Sequence, residues 1–207
     1  MAQVIVFVIG TARSGTCWLG RILASHPQIT GFVEEEPRFG AITQAAIFPG
    51  LREGLACVLA DQYRVLEERH GIVSEKAHPA IWIAEELAAL LPSARFLAIE
   101  RDRASVVASM MKHPGVRARC ETGWESYPEP CPFLGLEDAD DYARLSVEER
   151  CGLRWDSHKR EIRRLEPVLG DRLLTVEYET LVADQEATCA AIQRWLGLPE
   201  PFPRGVK

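Results

Sequence analysis

No run of apolar residues in this chain reaches the length of a membrane span. The one apolar stretch near the start, QVIVFVIG, is eight residues long, has no basic lead and runs directly into a glycine turn. It reads as a buried strand, not as a signal peptide, and the expected location is cytoplasmic. An excess of basic charge is also missing. Lys and Arg number 24 against 30 Asp and Glu, a net charge of −6. A protein built to grip nucleic acid or an anionic polysaccharide would carry the opposite balance, so neither is an expected partner. Local basic spots at Arg95, Arg101 and Arg103, and from Arg160 to Arg164, still allow a pocket for a small anion. None of the six cysteines stands in a C-x-x-C pair, which argues against zinc, and no other metal-ligand spacing occurs. Cys120 and Cys131 flank a proline-rich loop and could bridge under oxidising conditions, but without an export signal free thiols are expected. There is no internal repeat and no low-complexity tract.

What is present is an ordinary globular balance. The chain has 207 residues, 47% hydrophobic and 26% charged, which suits one domain over residues 1–207 with an inserted lid. Apolar, β-branched runs predict strands at Val4–Ile9, Gly71–Ser74, Arg95–Glu100 and Arg172–Glu177, with a weaker one at Ile29–Val33. Helical patterns follow most of them, near residues 15–25, 53–70, 81–91, 103–112, 147–165 and 184–196. This alternation predicts an α/β fold of three layers, a mostly parallel central sheet flanked by helices. Such sheets bind ligands at the carboxyl ends of their strands, which groups residues 10–16, 75–78 and 100–103 into one site. From Lys112 to Asp141 the pattern breaks into a segment rich in Pro, Gly and aromatics. About 113–141 is therefore expected to be a surface excursion acting as a lid.

The stretch VFVIGTARSGTCWL is a strand, a glycine turn and a helix start. Gly10 and Gly15 permit the turn, and the free N–H groups of the helix attract anionic oxygens. Arg13, Ser14 and Thr16 add a charge and two hydroxyls. A triphosphate loop has lysine after its second glycine and then Ser or Thr. Here Thr16 and Cys17 stand in those places, so neither the lysine nor the magnesium-binding hydroxyl is present. A kinase of a nucleotide or small metabolite remains an alternative on the loop alone, as does a nucleotide-binding protein without turnover.

The residues Arg13–Leu19, RSGTCWL, resemble the 5′-phosphosulfate loop of sulfotransferases that use 3′-phosphoadenosine-5′-phosphosulfate (PAPS). Arg101 and Ser109 in RDRASVVASMMKH match the spacing of the family's 3′-phosphate element, although Arg103 and Ser105 replace its usual proline and aspartate. The resemblance runs from Ile5 to about Pro199 and implies the P-loop-like sulfotransferase fold. It implies a cofactor site of Arg13, Ser14, Gly15, Thr16, Cys17, Trp18, Arg101, Ser109 and Tyr178, with Trp18 and Tyr178 near the adenine. Arg101 at a strand end and Ser109 about two turns into the following helix can both face one phosphate.

Transfer of a sulfuryl group needs cations at the leaving oxygen and a base at the acceptor. Arg13 is the first cation and Lys76 the second. Two bases are open. EKAHP resembles the family segment in which a histidine is the base and a lysine assists, which points to His78 with Lys76. HPQITGFVEEEPRF resembles a second family segment in which a glutamate two residues before an arginine is the base, which points to Glu36 with Arg38. In a protein that keeps both, Glu36 would hold an amine or orient His78. Trp124, Tyr127 and Phe133 suggest either an apolar wall over the acceptor or residues that pin the loop to the domain, and a small alcohol, phenol or natural product is the preferred acceptor class. The reaction requires no metal in principle, and the oligomeric state is open.

Overall fold

The run VIVFVIG becomes the central strand β1, Val4–Gly10, buried at all seven positions. A strand covered on both faces has no polar side to show, so its sequence reads as an unbroken apolar run. In the computed structural model of the protein, which describes residues 3–206, β1 lies between β3 (Ile72–Lys76) and β4 (Ala94–Glu100), parallel to both. β2 (Ile29–Val33) extends the sheet beyond β3, and β5 (Leu173–Glu177) extends it beyond β4. The order is β2-β3-β1-β4-β5, and every pairing is parallel.

Alternation along β1 divides the core. Ile5, Phe7 and Ile9 enter one apolar cluster, and Val4, Val6 and Val8 enter the other. The second face is covered by α1 (Thr16–Ala24), by α9 (Tyr178–Ala183) and by α10 (Gln185–Leu196). The first is covered by α2 (Arg38–Ile47), α3 (Arg52–His70), α4 (Ala84–Leu90), α5 (Arg103–Lys112) and the long α8 (Val147–Leu169). Phe7 stacks on Phe96 at 5.4 Å and meets Tyr63 edge-on at 4.9 Å. Truncating so enclosed a ring to alanine costs about 3–5 kcal/mol. A capping box, Ser146 with Glu149, starts α8, and the Asp102 carboxylate caps α5 by accepting the Ser105 N–H at 2.8 Å.

All five expected strands form. Four helices run against the sequence reading, α9 among them. α2 occupies a stretch where no helix was expected. The segment after Lys112 opens with α6 (Pro114–Glu121) before a 3-10 turn and the short α7 (Ala139–Arg144). Its composition suggested irregular chain, yet Pro114 stands at the helix start, where a missing N–H is harmless. His113 Nδ1 accepts the Val116 N–H at 3.2 Å and completes the cap. No described helix is long and apolar enough to cross a membrane.

Candidate active site

Each of the five strands delivers part of one site at its carboxyl end. β1 ends in the loop of residues 10–15. Gly10 and Gly15 have φ of +146° and +103°, and Arg13 has φ of +74°. A Cβ on Gly10 would stand 2.7 Å from the Ile99 carbonyl, and one on Gly15 would stand 2.6 Å from the Tyr178 ring. The loop thus needs glycine both for its dihedrals and for close approach of the neighbouring strands. Ser14 closes it: its N–H and hydroxyl both donate to Thr11 O, at 3.2 and 2.7 Å. The buried Ser14 therefore shapes the turn. Gly15 offers no side-chain cap to α1, so the N–H groups of that helix start are left for an anion.

Beside the loop is a cavity of about 310 Å³, lined by Arg13, Gly15, Thr16, Cys17, Trp18, Arg21, Arg101, Ser109 and Tyr178. The sequence placed eight of these nine together, and Arg21 is the addition. Arg13 Nε donates to Ser109 Oγ at 3.2 Å, which ties the loop to α5. The Arg101 guanidinium lies 4.2 Å from the centre of the Tyr178 ring, while its buried Nε has no partner. Among the described residues none of Arg13, Arg21 and Arg101 makes an ion pair. Three cations and a helix N-terminus without a carboxylate partner form a site for a multiply charged anion. Trp18 and Tyr178 meet edge to face at 6.0 Å, and Trp18 Nε1 is held by the Val206 carbonyl at 3.0 Å. Two aromatic faces thus border the phosphate-sized charges.

A second cavity, about 230 Å³, opens on the other side of the loop. It shares Arg13, Thr16 and Cys17 with the first and is otherwise lined by Glu34, Lys76, His78 and Arg154, with Phe39 and four residues from 113 to 119. Glu34, at φ +54°, pairs its carboxylate with Lys76 Nζ and lies 3.5 Å from His78 Nδ1. These contacts hold its pKa near 2, the histidine hydrogen bond contributing most and Lys76 next. The His78 pKa is also lowered, to about 3: burial outweighs the hydrogen bond with Glu34, which favours protonation, and the nearby positive charges of Lys76 and Arg154 oppose it further. His78 is therefore neutral. Its Nδ1 faces a carboxylate that only accepts, so that nitrogen carries the hydrogen by inference from its partner. Nε2 is left bare, buried and without a partner. A neutral imidazole oriented by a carboxylate beside a cavity has the arrangement of a general base, although a pKa near 3 makes it a weak one until a negative charge is bound nearby.

Glu36 lies apart from this group. It is exposed, and its Oε2 accepts the Gly40 N–H at 3.1 Å in the first turns of α2. Of the three adjacent acids it is Glu34 that reaches Lys76 and His78, because β2 pairs with β3 in register and continues by the Glu34 N–H to Lys76 O bond of 3.1 Å. Arg38 turns to the core behind the site. Its Nε donates to Glu75 Oε2 at 2.8 Å, the Tyr63 hydroxyl donates to the same oxygen at 3.2 Å, and the guanidinium covers Phe32 at 4.6 Å. The expected aromatic wall is also displaced. Phe133 is fully buried, and Trp124 and Tyr127 pack against the same core, so none of the three lines either cavity. The excursion contributes His113, Gly115, Val116 and Arg119 instead.

Glu34, Phe39, Arg119 and Arg154 were not singled out by the sequence. A faint signal existed for Glu34, in the acidic run and the K-x-H pair that needs a counter-charge. Arg154 had none, since a single arginine within a charged helix looks like solvated surface. All six cysteines are free, and the described residues hold no cluster of three or more potential metal ligands. A larger cavity of about 520 Å³ beside α8 is lined by charges matched with each other, Arg164 with Glu85 and Glu161, and Arg160 with Glu137.

A family model described as the sulfotransferase family matches residues 6–203. Among solved structures, the chain is similar to a sulfotransferase domain from the curacin biosynthetic pathway, with a TM-score of 0.62 and 15% identity over 97% of this chain and 75% of that one. A sulfotransferase from Alicyclobacillus acidocaldarius gives 0.61 and 17%, over 100% of this chain and 87% of that one. The sulfotransferase domain of the Synechococcus PCC 7002 olefin synthase gives 0.60 and 20%, over 95% and 74%. At these identities the likeness is one of fold. A search of curated proteins gives no match.

Proposed function

The chain belongs to the sulfotransferase family, and from that premise we propose that it moves a sulfuryl group from PAPS to a hydroxyl or amine of a small acceptor by in-line displacement. The observation that carries the proposal is the pair of cavities that share Arg13, Thr16 and Cys17 as their common wall. One holds unpaired arginines and aromatic faces, as a nucleotide bisphosphate requires. The other is lined by His78, whose buried Nε2 has no hydrogen-bond partner. When bound, PAPS supplies the sulfuryl group and a bisphosphate leaving group.

The residues fit such a donor. The orphan Nε of Arg101 and the hydroxyl of Ser109 suit the 3′-phosphate. The N–H groups of α1, with Thr16 and Arg13, suit the 5′ end. Trp18 and Tyr178 flank the adenine. On the acceptor side, His78 Nε2 takes the proton of the attacking group, and Glu34 orients the ring through Nδ1 and balances the positive charge that forms there. Lys76 lies against Glu34 and supplies the second cation facing the shared wall. A bound anionic donor would raise the pKa of His78, which would strengthen the base when it is needed. Residues 113–119 form the cover of the acceptor side, and we assign the lid role to α6, within a chain that acts as one catalytic domain.

Calorimetric titration tests this reading. The bisphosphate product, 3′-phosphoadenosine-5′-phosphate (PAP), should bind more tightly than 5′-AMP or magnesium ATP. Arg101→Ala should lose 1.5–3 kcal/mol of that affinity, roughly 10- to 150-fold. Equal affinity for the three nucleotides would refute the proposal.

A further inference from the structure

Arg154 has a peculiar setting. It stands in the middle of α8 with 1% of its surface exposed, and it lines the acceptor cavity. Its Nε and Nη1 have no hydrogen-bond partner, and among the described residues no carboxylate lies within ion-pair distance. Its flat face covers the Phe133 ring at 4.4 Å. Arg119, from α6, also lines the cavity, approaches the same ring at 5.9 Å and repels Arg154. Two guanidinium groups thus converge on one aromatic ring beside one cavity, with no acid between them.

The other charges at the cavity do not answer them. The carboxylate of Glu34 is taken by Lys76 and His78. His78 is neutral, and the exposed His113 spends Nδ1 on the cap of α6. Arg13 faces the shared wall. The Cys120 thiol touches Arg154 from the protein side. It is held below the usual thiol range first by a hydrogen bond from Cys151 and then by Arg154, so it answers part of the charge. Two nitrogens of Arg154 still lack an acceptor. A buried arginine stays charged, and leaving it unpaired is expensive, so Arg154 calls for an accepting group from outside the chain.

We infer that the acceptor carries a carboxylate besides the group that receives the sulfuryl, and that Arg154, assisted by Arg119, binds it. The inference rests on reading this cavity as the acceptor site. The planar fork of arginine suits a carboxylate, which takes two parallel N–H bonds. Phe39 and Val116 supply apolar wall for the carbon skeleton between the two ends. The cavity, about 230 Å³, is below the roughly 300–1,000 Å³ of usual small-molecule pockets, so the acceptor is small. Specificity then follows from the asymmetry of buried charge. A neutral analogue leaves Arg154 unpaired and is rejected.

The test uses matched pairs on the full chain saturated with PAP: 4-hydroxyphenylacetate against 4-hydroxyphenylacetamide, and 6-hydroxyhexanoate against its amide. Calorimetry should show at least tenfold tighter binding of the carboxylate in one or both pairs. Arg154→Met should bring that ratio to about one while PAP affinity stays within threefold. Its melting temperature should be no lower than that of the unchanged chain, because an unpaired buried charge has been removed. Arg119→Gln, at a half-exposed position, should reduce the ratio in part. A ratio near one for both pairs with PAP bound overturns the inference and leaves the donor reading standing. So does a ratio that survives Arg154→Met. An equal loss of PAP and carboxylate affinity in Arg154→Met assigns the arginine to the donor and overturns it too. If PAP itself fails to bind the unchanged chain, the donor reading and this inference both fall.

Discussion

Lowering the pH from 7 to 5 should destabilise this protein through His78, and the size of the loss can be worked out. Burial takes the imidazole from its ordinary 6.5 to about 3 in the folded chain. Between those values the unfolded chain binds a proton that the folded chain refuses. Stability therefore rises with pH through this window and falls as acid is added. At pH 5, 1.5 units below the unfolded value, the penalty is about 2 kcal/mol. It does not depend on the exact folded pKa so long as that value lies well below 5. His158, fully buried and beside Arg154, shifts in the same direction and equally in any His78 variant. Glu34, held near 2, contributes mainly below its unfolded value of 4.5, so its share at pH 5 is only about 0.2 kcal/mol. Glu75, raised by burial, acts in the opposite direction but equally in any His78 variant. The assay is urea denaturation of the wild-type chain and of His78→Gln, each at pH 7 and pH 5. The variant should lose about 2 kcal/mol less than the wild type across that change. If both lose the same amount within about 0.5 kcal/mol, His78 is not a buried neutral imidazole, and its Nε2 is not the free base that the site requires.

Two further outcomes separate the roles of neighbouring residues. Glu34→Gln should lower kcat on a phenolic acceptor about 100-fold with PAP affinity retained, whereas Glu36→Gln, which loses only an exposed contact with Gly40, should stay within about twofold. The reverse ranking in steady-state turnover would return the base to Glu36. Arg38→Ala should destabilise the fold by about 3–5 kcal/mol in urea, because it strands the fully buried Glu75 with only Tyr63, and a loss under about 1 kcal/mol would refute that.

The parts legible in the sequence were those carried by short-range pattern. A doubly covered parallel strand must be apolar throughout, so β1 and β4 declared themselves. The glycine spacing of residues 10–15 specified a turn with positive φ, and the eight-residue step from Arg101, at a strand end, to Ser109, in the following helix, let both face one phosphate. All of these are local facts of backbone geometry. The acceptor side was hidden for the opposite reason. Which of three adjacent glutamates meets His78 is decided by the register between β2 and β3, a pairing across 42 residues of chain. Phe133 read as a lid aromatic because it follows a proline in a loop. Its ring is in fact pinned beneath Arg154, which itself looked like one more surface charge on α8. Burial of a charged side chain against another element leaves no periodic trace in the sequence.

The orphaned polar atoms give the site a physical signature that the motifs alone lack. Buried donors and acceptors without partners are costly and rare in folded proteins, since folding gains nothing from them. Here Arg101 Nε, His78 Nε2 and the nitrogens of Arg154 are such atoms, and all three residues line one or other of two cavities that meet at the loop of residues 13–17. Five more such atoms among the described residues lie away from these cavities, on Arg38, Arg52, Glu67, Glu75 and Tyr142, so it is the grouping around the loop, and not orphaning by itself, that marks the site. Several charged groups elsewhere do have partners. Arg38 has Glu75, Arg103 has Asp156, and Arg150 spends four hydrogen bonds on backbone carbonyls. The unmatched groups ask for different complements: an anion at Arg101, a proton donor at His78 and a second anion at Arg154. A single nucleotide supplies only the first. On the proposed reading the other two belong to one acceptor molecule, which would give up a proton at one end and carry a negative charge at the other, and that combination would set this chain apart from a simple phosphate-binding loop.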